Sequence, residues 1–565
     1  LPLHKKVSVS QVLDAINQGE EFRKKYACED SWDVWRAYYR GDWEDGILPV
    51  NLYFMMIRTI VPRIYFRNPG ISVTPARPGM HNAVFAQLLE RVDNKLVQLM
   101  RLKKQMKKIV QDTFLTGTGV LKVGFGAEYT PTPPLSGEAT NVRAPSINKS
   151  QEQLEYNPNV RANMPWAMRT PPGTFVVPDE TECLEEAPWV AHEIVRPVMD
   201  VRRDPRFKNR QKVKPMEPEK TPLGLDKSVY TENVTLYEIR DKKFQRVLVA
   251  TEGVDDFLLK EDDLLQQIHG LNYFTVSFNE DDEVFWGVPD AKILEPRQRE
   301  INEIKTQAMK HRRLALIKWL AKRNAISEVE ASKLLDENVS AIVNVDGDPN
   351  MDLAQVQAST IPTDLFNAGE ETMMDAREEM GFSRNQFGEY HPKTNTTATE
   401  SRIVQMATDI RVDERRDMVA DMIQDAFELI NKIVFQLWTE DVVMDVIGPG
   451  GVPLWIRFSP AMLSEGVYRL NIDPDTATPK TRELREAKAM EVYQVFKENP
   501  MIDPAELTKY LLREMHGVEY DSLFRGMPKG AGVTQQQALG IGEYTQILNR
   551  AGPLGLPVPM QGQSL

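Results

Sequence analysis

The chain has 565 residues, 41% hydrophobic and 27% charged, and its 69 basic and 82 acidic side chains leave a formal net charge of −13. That balance is the balance of a globular protein with room for several domains, and no run approaches the roughly 18 uninterrupted apolar residues of a membrane span. The acidity argues against tight holding of nucleic acid, which rests on Lys and Arg neutralising phosphates, yet it suits a wall past which a polyanion slides.

The first residues, Leu1-Pro2-Leu3-His4-Lys5-Lys6, contain neither an initiator Met nor the apolar core of a signal peptide. Residues 8–40 carry a helical pattern ending in Trp32, Trp35, Tyr38, Tyr39 and Gly41-Asp42-Trp43, rings that read as core or subunit contacts. Cys28 and Cys183 are too few for a disulfide framework or a four-ligand zinc site; they fit a reducing cytoplasm and read as small buried hydrophobes. An apolar helix over 51–64, a turn at Arg67-Asn68-Pro69-Gly70 and a short strand over 71–75 come next. The spacing then predicts one long amphipathic helix over 82–115, in which Lys103, Lys104, Lys107 and Lys108 read as a solvated face. It stops at Gly117-Thr118-Gly119, before a strand over 120–125. That triplet belongs to no G-x-G-x-x-G or G-x-x-x-x-G-K-[ST] pattern, so a phosphate cradle and an ATPase are not expected, and the glycines shape a turn.

Residues 128–172, rich in Pro, Asn and Ser, read as an extended arm rather than packed core, and 205–228 as a second mobile, Pro- and Lys-rich stretch. Strands are expected over 175–179, 189–194 and 273–278, with a hairpin over 234–239 and 246–250. Acidic clusters lie beside them: Asp255-Asp256, Glu261-Asp262-Asp263 and Glu280-Asp281-Asp282-Glu283. Such carboxylates can hold Mg²⁺ for a metal-dependent nuclease. Adjacent acids on a strand point to opposite faces, however, and no H-E-x-x-H or EF-hand spacing is present, so solvated loops are the better reading. No catalytic residue, metal ligand or cofactor site is assigned.

A helix is signalled over 289–323, with Pro296 tolerable only near its start and Ile301, Ile304, Ala308, Ala315 and Trp319 on one stripe. Glu295, Glu300 and Glu303 come early, whereas Lys310, Arg312, Arg313, Lys318, Lys322 and Arg323 come late. This order suits the helix dipole by roughly a few tenths of a kcal/mol per charge, and the surplus of cations fits a contact role and a solvated face equally. A short helix over 327–335, a strand over 341–345, an extended return over 353–361 and a helix over 363–380 follow. A polar Gly/Asn/Thr-rich loop then leads to Thr397-Ala398-Thr399-Glu400, a capping-box spacing. Behind it Ile403, Ala407, Ile410, Met418, Met422, Ala426, Leu429, Ile433 and Leu437 recur at helical spacing with no Pro or Gly before Gly448. At about 1.5 Å per residue that helix spans roughly 60 Å, more than an ordinary enzyme domain needs. Strands over 454–458 and 468–472 and helices over 480–497 and 504–515 precede a Gly/Gln/Pro-rich tail from Gly526, expected to rest on a neighbour.

Several segments together resemble one family. They are Gly41-Asp42-Trp43 with the 51–64 helix and Arg67-Asn68-Pro69; Asp112-Thr113-Phe114-Leu115-Thr116-Gly117-Thr118-Gly119-Val120-Leu121-Lys122-Val123-Gly124; Gly287-Val288-Pro289 through Glu300-Ile301-Asn302-Glu303; and Glu378-Glu379-Met380-Gly381-Phe382-Ser383 through Thr397-Ala398-Thr399-Glu400. In order and spacing, over most of 30–475, they resemble the portal (head–tail connector) proteins of tailed bacteriophages, short-tailed type. Each motif is loose by itself, and 128–172 and the tail after 526 have no counterpart.

The resemblance implies an α+β ring subunit with long stem and wing helices, a small α/β clip insert, β-rich wing segments and a short helical crown. The wing would take 1–288, the stem helix 289–323, the clip 324–362, the return stem helix 363–380 and the tunnel loop 381–397. The long wing helix and strands would take 398–477, the crown 478–525 and the extended tail 526–565. A member is not an enzyme. It is a homo-oligomer, a dodecamer, at one capsid vertex of the virion, assembled in the host cytoplasm, and it conducts double-stranded DNA during packaging and ejection. Its partners are the terminase large subunit, a head–tail adaptor and the major capsid or scaffolding protein. The DNA-facing loop would present Arg384, Asn385, Gln386, His391, Lys393 and Asn395, while Arg312, Arg313, Lys318, Lys322 and Arg323 would sit at the clip-side helix end. The alternatives are a non-portal capsid or adaptor protein and, further off, the nuclease.

Overall fold

A computed structural model describes residues 3–4, 6–65, 68–76, 80–125, 164–215, 233–268, 270–314, 318–321, 327–329, 332, 353–356, 363–381, 398–438, 468–473, 490 and 492–494. It divides into residues 1–478 and 479–565, and in the second unit the described residues are all helical. The fold of the first is α+β.

The N-terminal pattern resolves into α1 (Val9–Tyr26) and α2 (Glu29–Arg40), separated at Cys28, whose φ of 56° is left-handed. Ser8 caps α1 by accepting from the Gln11 amide while the Gln11 side chain accepts from Ser8, a reciprocal box. Next come α3 (Leu52–Ile64), capped by Asn51, and β1 (Gly70–Pro75). The single helix expected over 82–115 is two, α4 (Met80–Leu99) and α5 (Leu102–Thr116). Arg101 is the break: at φ 52° it leaves the right-handed region and turns the chain while Met100 and Leu102 both stay buried.

The Gly-Thr-Gly triplet is structural. Gly117 ends α5 at φ 88°, where a Cβ would lie 2.0 Å from the Gly287 carbonyl oxygen, so only glycine allows both the left-handed turn and the approach. β2 (Thr118–Phe125) leaves from it as the centre of a three-stranded antiparallel sheet with β3 (Pro165–Thr170) on one side. Here the arm reading needs correction. Residues 165–170 are sheet, with Trp166 and Ala167 buried, because the turn-rich composition upstream obscured a short apolar strand; 126–163 lie outside the described residues.

A five-stranded antiparallel meander follows: β4 (Phe175–Val176), β5 (Trp189–Pro197), β6 (Asn233–Asp241), β7 (Arg246–Ala250) and β8 (Leu259–Asp262). Helix α1 covers one face through Val9, Val12 and Ile16 against Trp189, Ile239 and Leu248. A smaller cluster includes α6 (Val198–Arg203) with Phe207, Val213, Leu236 and Val249, so the start of the stretch expected to be mobile packs on the sheet through two apolar anchors. After α7 (Leu264–Ile268), β9 (Tyr273–Ser277) completes the three-stranded sheet.

The two sheets are joined by buried charge. Lys122 of β2 pairs with Glu238 of β6, Glu238 with Arg240 at 2.8 Å, and Arg240 with Asp263 at 2.9 Å. Two cations and two anions balance, as burial demands. Burial alone would raise the Glu238 carboxyl, but Lys122, Arg240 and His192 outweigh it and hold it at about 2. His192, opposite Glu238 in the β5–β6 register, is driven down to about 3, first by burial and then by Lys122.

The main core brings together α2, α3, α4, α5, β2, β9 and three further helices: α8 (Asp290–Leu314), α9 (Thr363–Glu379) and α10 (Ala398–Leu437). Strands β10 (Lys318–Ala321) and β11 (Leu353–Val356) pair antiparallel between α8 and α9, and β12 (Tyr468–Asp473) pairs with β1. No helix among the described residues is long and apolar enough to cross a membrane.

Candidate functional site: a helical hairpin and its anchor

Helix α8 places Ile301, Ile304 and Ala308 on one stripe, and α9 packs along it. Gly369 of α9 faces this stripe, where an added Cβ would sit in ordinary contact 3.5 Å from Ile304 and 3.8 Å from Ile301. Near the start of α8, Arg297 donates to Glu379 at 3.0 Å and reaches Asp375 at 3.4 Å, at the end of α9. The helices are therefore antiparallel, and their far ends lead into the β10–β11 pair, where Lys318 faces Val356 and Ala321 faces Leu353.

The base of the hairpin is fixed in the body by side chains one helical turn apart. Thr306 accepts from the Leu48 amide at 2.9 Å, Asn302 from the Val50 amide at 2.9 Å, and Gln298 from the Leu52 amide at 2.8 Å. Gln298 also donates to the Val50 carbonyl at 2.6 Å. A helix face thus hydrogen-bonds the segment leading into α3 as a neighbouring strand would, which satisfies backbone polar groups outside any sheet. The Tyr53 hydroxyl donates to the Ala291 carbonyl at 2.6 Å, and the Trp35 indole to Glu295 at 2.9 Å.

A second anchor comes from α10. Asp290 is 2% exposed in the first turn of α8, where a carboxylate suits the helix dipole. Both terminal guanidinium nitrogens of Arg415, Nη1 and Nη2, donate to it, at 2.9 and 3.0 Å, and Asn279 adds a bond at 2.9 Å. The same guanidinium lies over the Phe278 ring at 5.1 Å. Behind it Arg416 donates to the Arg63 carbonyl at 2.8 Å, and Asn431 to Asp93 at 3.3 Å in the core, where burial pushes the Asp93 carboxyl well up.

Gly381 ends α9 at φ 73°, and a Cβ there would lie 2.5 Å from Cδ of Arg411. The chain therefore leaves the hairpin against Arg411, while α10 begins at Ala398, 13 residues earlier on its own axis. At about 1.5 Å per residue, the start of α10 stands roughly 20 Å along the helix from that contact. The segment 382–397 links these two points.

The expected DNA-facing residues Arg384, Asn385, Gln386, His391, Lys393 and Asn395 lie outside the described residues, as do the capping residue Thr397, Lys322 and Arg323. Arg312 and Arg313 are exposed in the last turn of α8. The helix expected to run to 323 ends at Leu314, and Lys318 lies on β10, not on the helix. The cause is visible in the sequence: Trp319 and Leu320 suit a short strand as well as a helical stripe, and pairing with β11 decides. Pro296, now in the second turn of α8, sits exposed with its ring away from the core. The acids at 255–256, 261–262 and 280–283 are exposed, Asp263 is turned to Arg240, and among the described residues no three His, Cys, Asp or Glu side chains gather as a metal site.

No protein-family model matches the chain, and no curated protein compared with it matches.

The exposed face of α9 presents Glu370, Glu371, Glu378 and Glu379, whereas the far end of α8 presents Lys310, Arg312 and Arg313. Sequence reading missed the amide ladder of Gln298, Asn302 and Thr306; its signal is polar residues of similar reach four apart on an otherwise buried face.

Proposed function

We propose that this chain is a subunit of a portal-type ring, the channel for double-stranded DNA at one capsid vertex during packaging and ejection. The observation that carries the reading is the order of elements: a helical hairpin with a two-stranded tip, rooted in an α+β body, that returns through one segment into a 40-residue helix. In such a ring α8 and α9 form the stem, β10 and β11 belong to the clip, and 382–397 forms the tunnel loop at the channel. The acids exposed on α9 favour sliding over sticking, since like charge repels a polyanion. The cations at the far end of α8 would meet the terminase large subunit during packaging and a head–tail adaptor afterwards, and the body would meet capsid or scaffolding protein.

The test is Arg384→Ala with Lys393→Ala. Negative-stain images should show rings with a central pore wide enough for duplex DNA, unchanged in the variant, while packaging or retention of DNA falls several-fold. Rings with unimpaired packaging and retention would remove the loop from the mechanism, and a closed or lattice-forming assembly would favour a capsid protein.

A further inference from the structure

One basin lies outside the hairpin. It holds about 270 Å³ and is lined by Arg36, Tyr39 and Arg40 of α2, Lys108, Gln111, Asp112 and Leu115 of α5, and Arg169 of β3. Four cations and a single carboxylate face it on a chain whose net charge is −13. Asp112 is already committed. Arg169 takes both of its oxygens, through Nε and through Nη2 at 2.7 Å, and burial pushes the carboxyl up against the pull of Arg169, Arg36 and Lys108. Arg36 lies over the Trp32 ring at 5.8 Å and, among the described residues, ion-pairs with the exposed Asp33 alone, at 3.3 Å. Arg40 and Lys108 are exposed and have no ion pair with any described residue. Three cations from two helices thus line the basin, with Asp112 held by Arg169 and the solvated Asp33 in an ion pair with one of them, so the lining keeps an excess of positive charge that favours an anion.

We propose that this basin is an oxyanion site that takes phosphate groups. A planar carboxylate is satisfied by one guanidinium, as Asp112 is by Arg169. A phosphate carries more charge and oxygens directed tetrahedrally, so it can accept from Arg36, Arg40 and Lys108 at once. Arg36 and Arg40 are one turn apart on α2, and Lys108 approaches from α5, so the donors converge from two sides. The Tyr39 hydroxyl and Gln111 amide can supply the neutral bonds around them. The phosphate can be free or part of a nucleic-acid backbone. The site does not depend on the portal reading, because none of these residues belongs to the hairpin, the tip or the 382–397 segment.

The test uses the full-length protein, with titration calorimetry at constant ionic strength against inorganic phosphate and fluorescence anisotropy with a 20-base-pair duplex. Arg40→Glu with Lys108→Glu reverses the two free cations, both on the surface where folding tolerates change. Lys24→Glu with Lys208→Glu makes the same change in net charge at exposed positions elsewhere. Saturable binding of either probe, weakened at least tenfold in the first variant and within twofold in the second, supports the site. Phosphate binding assigns a free ligand; duplex binding alone assigns the backbone. Equal weakening in both variants, equally effective competition by poly-glutamate, or no saturable binding of either probe overturns it.

Discussion

In the body, Lys122, Glu238, Arg240 and Asp263 form a neutral chain of charges whose side chains are 1–4% exposed, while the two helices of the hairpin are tied near its root by Arg297, Glu379 and Asp375, about a third exposed. The difference is one of reversibility. Breaking an exposed pair lets water replace each partner and costs little, whereas separating a buried pair strands a charge in a medium that cannot solvate it. The buried Lys122–Glu238 pair therefore resists separation of the two sheets. The hairpin is fixed in direction mainly at its root, by the amide ladder and by Asp290 with Arg415.

The largest expected effect follows from breaking the body. Lys122→Met should destabilise the protein by about 3–5 kcal/mol in chemical denaturation, since Glu238 then stays buried one cation short. Adding Glu238→Gln should recover a substantial part of the loss. A single variant within about 1 kcal/mol of wild type would mean that water reaches the network and that the contrast with the hairpin is false.

Next comes the root of the hairpin. Asp290→Asn keeps the shape but removes the charge that Arg415 and the α8 dipole both meet, so a loss of roughly 1.5–3 kcal/mol is expected. The signature is regional. Amide hydrogen exchange should quicken in α8 and α9 while β5, β6 and β7 keep wild-type protection. Uniform quickening in sheet and hairpin alike would show that the root is part of one cooperative body.

How much of this was legible beforehand depended on whether a signal was local. The β6–β7 hairpin, β9, β12, α9 and the 40-residue helix were readable because alternation or 3.6-residue periodicity ran unbroken for the length of each element. The breaks at Cys28 and Arg101 were not, because no Gly or Pro marks them; tertiary packing holds non-glycine residues at positive φ. Strand β10 was read as helix because its apolar residues continue the stripe of α8. At the candidate site, the exposed cations Arg312 and Arg313 were legible as an excess over what a helix dipole asks. The Asp290–Arg415 fork joins residues 125 apart in sequence, and the basin joins Arg40, Lys108 and Arg169 from three elements. Lys108 read as one solvated lysine in a run of four, and only the fold sets it beside two arginines.

Acid sharpens the comparison further, with an expected effect of about 2 kcal/mol over the pH range tested. His192 sits among Lys122, Glu238, Arg240 and the Tyr273 ring, and its folded pKa of about 3 lies far below the usual 6.5. Its sign is that of a group held neutral: between those values the unfolded chain binds a proton that the folded chain refuses. Stability from this residue is therefore highest above 6.5 and falls as pH drops toward 3, at up to about 1.4 kcal/mol per pH unit. Glu238, held at about 2, keeps its contribution above its ordinary value of 4.5 and loses it only as pH falls from there toward 2. Asp93, raised by burial, acts in the opposite sense, so the informative quantity is the difference between two proteins and not one curve. His192→Gln carries no titrating proton, and subtracting its denaturation curve from that of wild type between pH 7 and 5 should leave a slope approaching one proton. Parallel curves would mean that His192 takes up its proton in the folded state at an ordinary pH, with water or a rearranged Glu238 beside it, and the frame joining the two sheets would then be softer than its buried charges imply.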